Sequence, residues 1–381
     1  MAIDMKTKFI IVLLWLLVGA NSSVLLFANP ALSQTGASAD WERTVAAAKK
    51  EGKVVAGIPA SADLRKQLEA AFKAKFPAIE IELSPSRGPQ NVRKIAEEYK
   101  AGIHNFDLSI GGTDTMLYGF VEPGIAEPFE PYMILPEVKD PKQWWGGHIW
   151  GDNQSGKRFI YSFEAFTSDN LWHNTELVKA EEIRSYDDLL QPKWKGKIGL
   201  LDPRNPGAGH STWTFLWMIR GEEYLKKLVQ QDLLISTNQR LLAEGLAKGK
   251  LSLTIGISYY TLEPFLKAGL PVKALAVPKE GTHTSNGSGT ITIVKNPPHP
   301  NATKVFVNWL LSKEGQETFG KAIGQATRRL DVDTKWLRSI GVYGAKDSLT
   351  IESYYKLQNH LEDAINQYRR PAMDIARQLI H

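Results

Sequence analysis

The first part of the chain alternates between short apolar runs and amphipathic segments. Residues 53–59, 79–83 and 106–110 have the composition of strands, and residues 61–76 and 92–101 between them carry apolar side chains at helical spacing. Pro77 ends the first of these helices. Strands that alternate with helices are typical of an α/β fold, and this pattern predicts mainly parallel sheets.

The same alternation continues in the second part of the chain. Residues 198–201 are an apolar run that predicts a strand, and helices are predicted at 211–219, 222–230 and 238–248. Further strands are predicted at 251–257, 272–277 and 290–294. Because a chain of 381 residues exceeds the usual size of one domain, we expect two domains rather than one.

Polar and aromatic side chains follow the apolar run 251–257 directly. Tyr259 and Tyr260 lie where this strand is predicted to stop, and ligands of open α/β sheets collect at such carboxyl ends. The later loop 281–289 is rich in hydroxyl and amide groups, and its glycines allow a ligand to approach the main chain. Its candidate ligand-binding residues are Ser285, Asn286 and Ser288. The combination indicates a binding site without obvious catalytic chemistry, although core packing of the tyrosine pair explains the pattern equally well.

Two more strand ends carry candidate ligand contacts. Arg87 follows the second predicted strand, where a guanidinium can bind a carboxylate or phosphate through two hydrogen bonds. A second group precedes a predicted helix, whose N-terminus favours anions: Asn205, Gly209, His210 and Ser211. Each of these residue types is also common in ordinary turns, which would explain them without a ligand. Their positions at strand ends favour an anionic or carboxylated organic solute.

The N-terminus has the pattern of a secretory signal peptide. Lys6 and Lys8 precede an apolar run at 9–18, and the small-x-small pattern ends at Ser33. We expect residues 1–33 to be a signal peptide cleaved after Ser33; an uncleaved membrane anchor is the alternative. The sequence contains no cysteine, so neither a lipid-modified cysteine nor a disulfide can form. We therefore expect a soluble periplasmic protein that is not a lipoprotein.

Composition and motifs argue against several function classes. The net charge of +5 comes without a polybasic run, so nucleic acid is not an expected partner. Residues 151–157, GDNQSGK, contain the glycines and lysine of a phosphate-binding loop, but Arg158 follows where Ser or Thr is required. No nucleophile elbow, zinc-binding helix motif or cysteine nucleophile occurs. We expect a monomer that is not an enzyme and has no cofactor, and the 11 tryptophans and 12 tyrosines favour an aromatic-lined cleft.

A longer segment resembles a known family. Residues 185–203, SYDDLLQPKWKGKIGLLDP, are similar to a segment of the extracellular solute-binding proteins of ABC importers, in the branch that holds ferric-iron, thiamine, phosphonate and sugar-phosphate binders. Three other stretches agree with that branch in the same order: FDLSIGG at 106–112, GISYYTLEPFLKAG at 256–269, and GTITIVKNPPHPNATKVFVNWLLSKEGQETF at 289–319.

The resemblance implies a two-lobed venus-flytrap fold of the type II periplasmic binding proteins, with a ligand cleft between the lobes and hinge closure on binding. Lobe one would comprise residues 40–160 and 276–330, lobe two residues 161–275, and a C-terminal helical tail residues 331–381. It also implies that the protein captures a small-molecule solute and delivers it to an inner-membrane ABC permease.

The same resemblance raises iron as an alternative cargo. In the iron binders of this branch, adjacent tyrosines bind Fe(III) as phenolates, and Tyr259 and Tyr260 occupy the matching position here. The places that supply further ligands in those proteins hold Ser61 in one case and Gly112 and Thr113 in the other, which departs from the iron pattern. These three residues are candidate contacts for an organic solute instead. Two further functions compete with solute import: a secreted carbohydrate-active enzyme and a ligand-sensing partner of a membrane receptor.

Overall fold

The computed structural model describes residues 30–168 and 171–380, with side chains from residue 38 onward. Most of the predicted signal peptide therefore lies outside the described residues, and its cleavage stays a prediction. Among the described residues, no helix combines the length and the apolar character that crossing a membrane requires.

Fifteen strands form the sheets of the described part of the chain. In chain order they are β1 Lys53–Ile58, β2 Glu80–Pro85, β3 Leu108–Gly111, β4 Ala126–Glu127, β5 Ile149–Trp150, β6 Ile160–Ser162, β7 Phe166–Ser168, β8 Leu171–Asn174, β9 Ile198–Leu201, β10 Leu234–Ser236, β11 Leu253–Ile255, β12 Val272–Ala274, β13 Thr284–Ser285, β14 Thr290–Val294 and β15 Val342–Gly344.

Fourteen α-helices are assigned in the described residues. They are α1 Pro30–Glu51, α2 Ala62–Lys75, α3 Gly88–Lys100, α4 Thr113–Met116, α5 Pro136–Lys139, α6 Ala208–Val229, α7 Gln239–Ala247, α8 Tyr259–Lys267, α9 Pro300–Leu310, α10 Lys313–Ile323, α11 Ala345–Ser348, α12 Ile351–Leu357, α13 Glu362–Ala364 and α14 Arg370–Leu379. Two π-helical turns cover Leu117–Val121 and Ile365–Arg369, and six short 3-10 turns occur in the connections.

Two large sheets define two lobes. The sheet of lobe one has seven strands in the order β2-β1-β3-β14-β6-β5, with β4 also paired to β14. The sheet of lobe two has five strands in the order β10-β9-β11-β8-β12. The exact residue boundaries of the lobes and of the tail stay a prediction.

The predicted two-lobed α/β fold is confirmed, but the sheets are mixed rather than mainly parallel. The pairs β1 with β2, β1 with β3, β9 with β10 and β9 with β11 are parallel. The strand β14 is antiparallel to β3 and β6, and β8 is antiparallel to β11 and β12. Both β14 and β8 follow a crossing from the other lobe. Each therefore enters its sheet from the cleft side and runs opposite to the parallel strands of that sheet.

A third, small sheet joins the lobes. Its order is β13-β7-β15, with both pairs antiparallel. The strand β7 leads from lobe one to lobe two, and β13 leads back. The third strand, β15, comes from the C-terminal tail, so the tail is hydrogen-bonded to the connection between the lobes.

Separate apolar cores stabilise the two lobes. The core of lobe one includes Phe72, Phe306 and Trp309, whose rings lie in edge-to-face or tilted contact at 5.3 to 5.8 Å. The main core of lobe two combines the five-stranded sheet with α6 and with Ala372 and Ala376 of α14. The tail is therefore part of the packed interior of lobe two, because its last helix buries its apolar face there.

The predicted helices at 211–219 and 222–230 lie within the segment Ala208–Val229, which a kink interrupts at Gly221, where φ is 74° and ψ is 179°. Glycine adopts this non-helical conformation readily, so the break falls between two helical segments, as predicted. Tyr259 and Tyr260 differ from the prediction, because they begin helix α8 instead of standing at the end of a strand.

Candidate ligand-binding cleft

A cavity of about 650 Å³ lies between the lobes. The loops after β1, β2 and β3 form one wall, and the loops after β9, β10 and β11 form the other. These are the carboxyl ends of the parallel strands of each sheet, which is where open α/β sheets bind their ligands. The size is in the usual range for a pocket that takes a small molecule.

Most of the residues proposed from the sequence line this cavity. They are Ser61, Arg87, Gly112, Thr113, Asn205, Gly209, Ser211, Tyr260, Ser285, Asn286 and Ser288. The loops therefore bring together side chains that are as far apart in the sequence as Ser61 and Ser288.

Two proposed residues do not line the cavity. Tyr259 faces a smaller adjoining space of about 70 Å³, where its ring lies 6.4 Å from that of Trp172 and beside Gly324. Burial raises the pKa of the Tyr259 hydroxyl, which disfavours a phenolate. His210 is fully buried behind the wall, and its Nε2 lies 2.6 Å from the backbone oxygen of Arg369. Adjacent residues at the start of a helix point about 100° apart, and in this structure Tyr260 faces the cavity whereas Tyr259 faces the adjoining space.

The expected aromatic lining is also absent from this cavity. Tyr260 and the imidazole of His360 are the aromatic rings among its lining residues. The large rings are instead in the cores, as Trp144, Trp213 and Trp309 illustrate. The abundance of tryptophan therefore reflects core packing, which composition alone could not separate from ligand binding.

Helix N-termini surround the cavity. The N-cap residues of five helices of nine or more residues line it: Ser61 of α2, Arg87 of α3, Gly207 of α6, Asn238 of α7 and Ser258 of α8. Ser61 and Asn238 accept hydrogen bonds from their own helices, whereas α3, α6 and α8 have no side-chain cap. Asp114 Oδ2 accepts from the N–H of Gly207 at 3.0 Å, and Gln239 Oε1 accepts from that of Ser258 at 2.9 Å. The helix dipoles and the remaining N–H groups make such positions favourable for negative charge.

Most charged groups of the cavity lining are already paired. Asp202 accepts two hydrogen bonds from Arg204, at 3.0 and 2.9 Å. Glu263 pairs with Lys267 at 2.9 Å, and Arg240 pairs with Glu244 at 2.9 Å. Arg87 is half-buried and makes no ion pair with any residue that the structure describes, and neither does Asp63, which accepts from Gln67 Nε2 at 2.6 Å.

The floor of the cavity comes from the segments between the lobes. Asn286 Nδ2 donates to Thr113 Oγ1 at 2.6 Å, which connects the returning loop to the end of β3. The backbone N–H of Ser288 donates to Gln325 Oε1 at 2.8 Å. These contacts hold the hydroxyl and amide groups of the loop 285–288 in fixed positions at the base of the cleft.

Sequence reasoning missed the contribution of the tail. Arg369 and His360 both line the cavity, and both are buried. Arg369 Nη2 lies 2.8 Å from Asp114 Oδ2 and donates to the backbone oxygen of Gly207 at 3.1 Å. Asp114 Oδ2 also accepts from the backbone N–H of Gly207 at 3.0 Å. A tail arginine, a lobe-one carboxylate and the start of α6 thus form one buried network that no local sequence pattern indicated.

Three buried histidines lie around this network. Burial lowers the pKa of His210, His283 and His360 to about 3, and the charge of Arg369 acts in the same direction. They are therefore neutral at physiological pH. Since His210 Nε2 faces a carbonyl oxygen, the proton of the neutral ring is on Nε2.

No group of three or more His, Asp or Glu side chains suited to holding a metal ion is found among the described residues. The acidic side chains of the cavity are engaged by Arg204, Arg369, Lys267 and Gln67. The residues 151–157 form a turn, as expected from the incomplete phosphate-loop motif.

Two lobes with mixed sheets around a strand-end cleft are the fold of the periplasmic binding proteins. The sequence profile described as "Bacterial extracellular solute-binding protein" matches residues 58–317, which is about two thirds of the chain. The chain belongs to this family of bacterial extracellular solute-binding proteins. The family binds solutes and is not enzymatic, in agreement with the expectation from the motifs.

Among solved structures, the fold is similar to the periplasmic binding protein AfuA from Actinobacillus pleuropneumoniae with exogenous fructose-6-phosphate bound. The TM-score is 0.64 at 22% identity, over 86% of this chain and 99% of that chain.

Two curated relatives match over a smaller share of the chain. An uncharacterized protein of Haemophilus influenzae is 26% identical over 219 residues, which is 55% of this chain and 60% of that protein. Iron uptake protein A1 of Synechocystis sp. is 27% identical over 268 residues, which is 66% of this chain and 68% of that protein. The chain thus spans about two thirds or less of the length of these relatives.

Proposed function

We propose that this chain is the periplasmic solute-binding component of an ABC importer and that it captures a small anionic organic solute in the interlobe cleft. The observation that carries the proposal is the convergence on one cavity of five helix N-termini and of Arg87, which makes no ion pair among the described residues. Oriented N–H groups and an unneutralised guanidinium both stabilise negative charge.

The charge of Arg87 is the part of this site that selects an anion. The other cations of the lining have acidic partners within the protein, so their net contribution to the potential in the cavity is small. A carboxylate or phosphate at Arg87 would also lie at the N-terminus of α3, which has no side-chain cap. The remaining hydroxyl and amide groups of the cavity are suited to the uncharged part of an organic solute.

Native mass spectrometry of the protein purified from its own periplasm tests this function. We expect an additional mass that corresponds to an organic anion and is released by unfolding. A protein that carries no cargo and binds none of phosphate, citrate or fructose 6-phosphate in calorimetry would contradict the proposal.

Ferric iron is the second candidate, because Tyr260 lines the cavity and a curated relative is named an iron uptake protein. It fits less well, since Tyr259 faces away and the nearby carboxylates are engaged by basic or amide side chains. The same mass spectrum distinguishes the two candidates, because Fe(III) has its own mass. An iron-loaded protein would also absorb visible light through phenolate-to-iron charge transfer.

The remaining parts of the proposal concern the whole protein. We propose residues 1–33 as a cleavable signal peptide, residues 40–160 with 276–330 and residues 161–275 as the two lobes, and residues 331–381 as the tail. The partner is an inner-membrane permease, and the protein acts as a monomer. Edman sequencing of the mature protein should begin at Gln34; an intact N-terminus would contradict the cleavage.

A further inference from the structure

The turn 151–157, which resembles an incomplete phosphate-binding loop, holds the C-terminal tail on lobe one. The backbone N–H of Ser155 donates to Glu362 Oε2 at 2.6 Å. Next to it, Asn366 Nδ2 donates to Gln154 Oε1 at 2.6 Å. The turn therefore binds the tail of the protein itself.

Apolar burial completes this anchor on lobe one. Leu361 and Ile365 are both fully buried. Ile365 belongs to a cluster of lobe one together with Phe120 and Val294, and Leu361 belongs to a cluster together with Ile149 of β5. Because the burial of large aliphatic side chains is a main source of folding stability, this part of the tail moves with lobe one.

The end of the tail is anchored on lobe two instead. Helix α14 places Ala372 and Ala376 in the main core of lobe two, next to α6. Trp213 Nε1 donates to the backbone oxygen of Ala372 at 2.9 Å, and Arg204 Nη1 donates to that of Ile380 at 3.2 Å. Helix α14 therefore moves with lobe two.

The residues 366–371 connect the two anchors. All of them except Arg369 are exposed or half-buried. They include most of the π-helical turn Ile365–Arg369 and, in the first turn of α14, Pro371. Helices bend at π-helical turns and at proline. Since the anchors are buried and this segment is largely exposed, bending the segment disrupts fewer packed contacts than moving either anchor.

The connecting segment also touches both lobes beside the cleft. Arg369 Nη2 lies 2.8 Å from Asp114 Oδ2 of lobe one and donates to the backbone oxygen of Gly207 of lobe two at 3.1 Å. The next residue, Arg370, pairs with Glu122 of lobe one. A change in the backbone of the segment would therefore alter contacts that link the lobes.

We propose that residues 366–371 are a third hinge segment between the lobes, in addition to the crossings that contain β7 and β13. The segment changes conformation whenever one lobe rotates against the other, so its stiffness helps to set how far the cleft opens. The matched family profile ends at residue 317, before the tail begins. This inference depends on the two anchors and not on the identity of the solute.

The distance between the lobes can be measured directly, because the chain contains no cysteine and can be labelled at chosen positions. Lys66→Cys in α2 of lobe one and Lys227→Cys in α6 of lobe two place spin labels at two exposed positions. Double electron–electron resonance on the purified protein without added ligand then gives the distribution of interlobe distances.

Pro371→Gly is the informative variant, because it removes a restriction on φ from the connecting segment and leaves every side-chain hydrogen bond in place. The matched control is Pro300→Gly, which makes the same change in the first turn of α9, inside lobe one. Thermal unfolding establishes that each labelled variant is folded.

We expect the distance distribution of Pro371→Gly to be at least about 1.5 times as wide as that of the wild type, because the more flexible backbone permits a larger range of lobe orientations. Pro300→Gly should match the wild type. Equal widths for Pro371→Gly and the wild type would overturn the inference, and so would equal broadening in the two variants. Both outcomes leave the proposed binding of an organic anion intact, since no ligand takes part in the measurement.

A second pair of variants keeps the test decisive if Pro371→Gly does not fold. Pro371→Ala also removes the restriction on φ but retains the preference of alanine for a helix. It is compared with Pro300→Ala by the same measurement. Broadening in Pro371→Ala alone supports a third hinge segment, and equal widths in the two variants overturn it.

Discussion

Arg87 and Arg369 line the same cavity in opposite ways. Arg87 is half-buried at the N-terminus of α3 and has no acidic partner among the described residues, whereas Arg369 is buried in the floor and paired with Asp114. A partly solvated guanidinium needs no counter-charge, so it keeps its net charge for a ligand. A buried guanidinium must be neutralised by the protein, so it keeps only its directed N–H groups. The cavity is therefore lined by a cation with a net charge at Arg87 and by a neutralised ion pair at Arg369.

The largest effect is expected from disrupting the buried ion pair between Asp114 and Arg369. Asp114→Ala leaves the guanidinium of Arg369 buried without its carboxylate, which typically costs about 3–5 kcal/mol. Urea unfolding measures this loss. The control is Asp374→Ala, which breaks the exposed pair with Arg377 and should cost less than about 1 kcal/mol. Similar losses in the two variants would mean that the buried network does not stabilise the fold.

Low pH should also lower the folding stability of the region around Arg369. His210, His283 and His360 have folded-state pKa values of about 3 and ordinary values of 6.5 when unfolded. The unfolded chain therefore binds more protons than the folded one, and stability falls as the pH drops from 6.5 towards 3. For a single histidine with this shift, the loss at pH 5 is about 2 kcal/mol.

His210→Gln isolates one of these contributions. Glutamine can still donate a hydrogen bond to the backbone oxygen of Arg369, but it does not titrate. The difference in unfolding free energy between pH 7.5 and pH 5 should therefore shrink by about 2 kcal/mol relative to the wild type. An unchanged pH dependence would show that His210 is not the titrating group.

Removing the charge of Arg87 should affect ligand binding rather than folding. Arg87→Gln should weaken the organic anion about tenfold or more, because a charge-assisted hydrogen bond is lost. Its unfolding free energy should change by less than about 0.5 kcal/mol, since Arg87 leaves no ion-pair partner behind in the part of the chain that the structure describes. Arg240→Gln is the control, because Arg240 lines the same cavity but pairs with Glu244. Equal binding losses in both variants would remove the distinction between paired and unpaired cations.

The smallest effect should come from Tyr259. Tyr259→Phe removes a hydroxyl that does not face the main cavity, so binding should change less than twofold, as calorimetry can measure. Tyr260→Ala removes a side chain that lines the cavity and should weaken binding clearly more. A large loss in Tyr259→Phe would instead favour a ligand that both phenols contact, as iron binding requires.

Sequence patterns predicted the wall of the cleft better than its floor. Ser61, Arg87 and Asn205 each follow a strand that periodicity identifies, and parallel strands place their carboxyl ends at one edge. The direction of the sheets was harder to predict, because β14 and β8 run antiparallel only as a result of the crossings between lobes.

The side chains of the floor depend on longer-range geometry. Asp114 and Arg369 are 255 positions apart and meet only after both lobes and the tail have packed. Likewise, Tyr259 and Tyr260 are indistinguishable in the sequence until helix α8 begins at Tyr259 and turns the two rings apart. Local periodicity contains neither kind of information.

The strand β15 has a mechanical consequence. Before the tail begins, the chain crosses between the lobes twice, through β7 and β13. The tail adds a third strand, β15, which is hydrogen-bonded to β7. Any rotation of one lobe against the other must therefore twist or slide three segments together, which narrows the set of motions available. The angle through which one lobe can turn against the other is therefore limited by three paired strands instead of by two crossings.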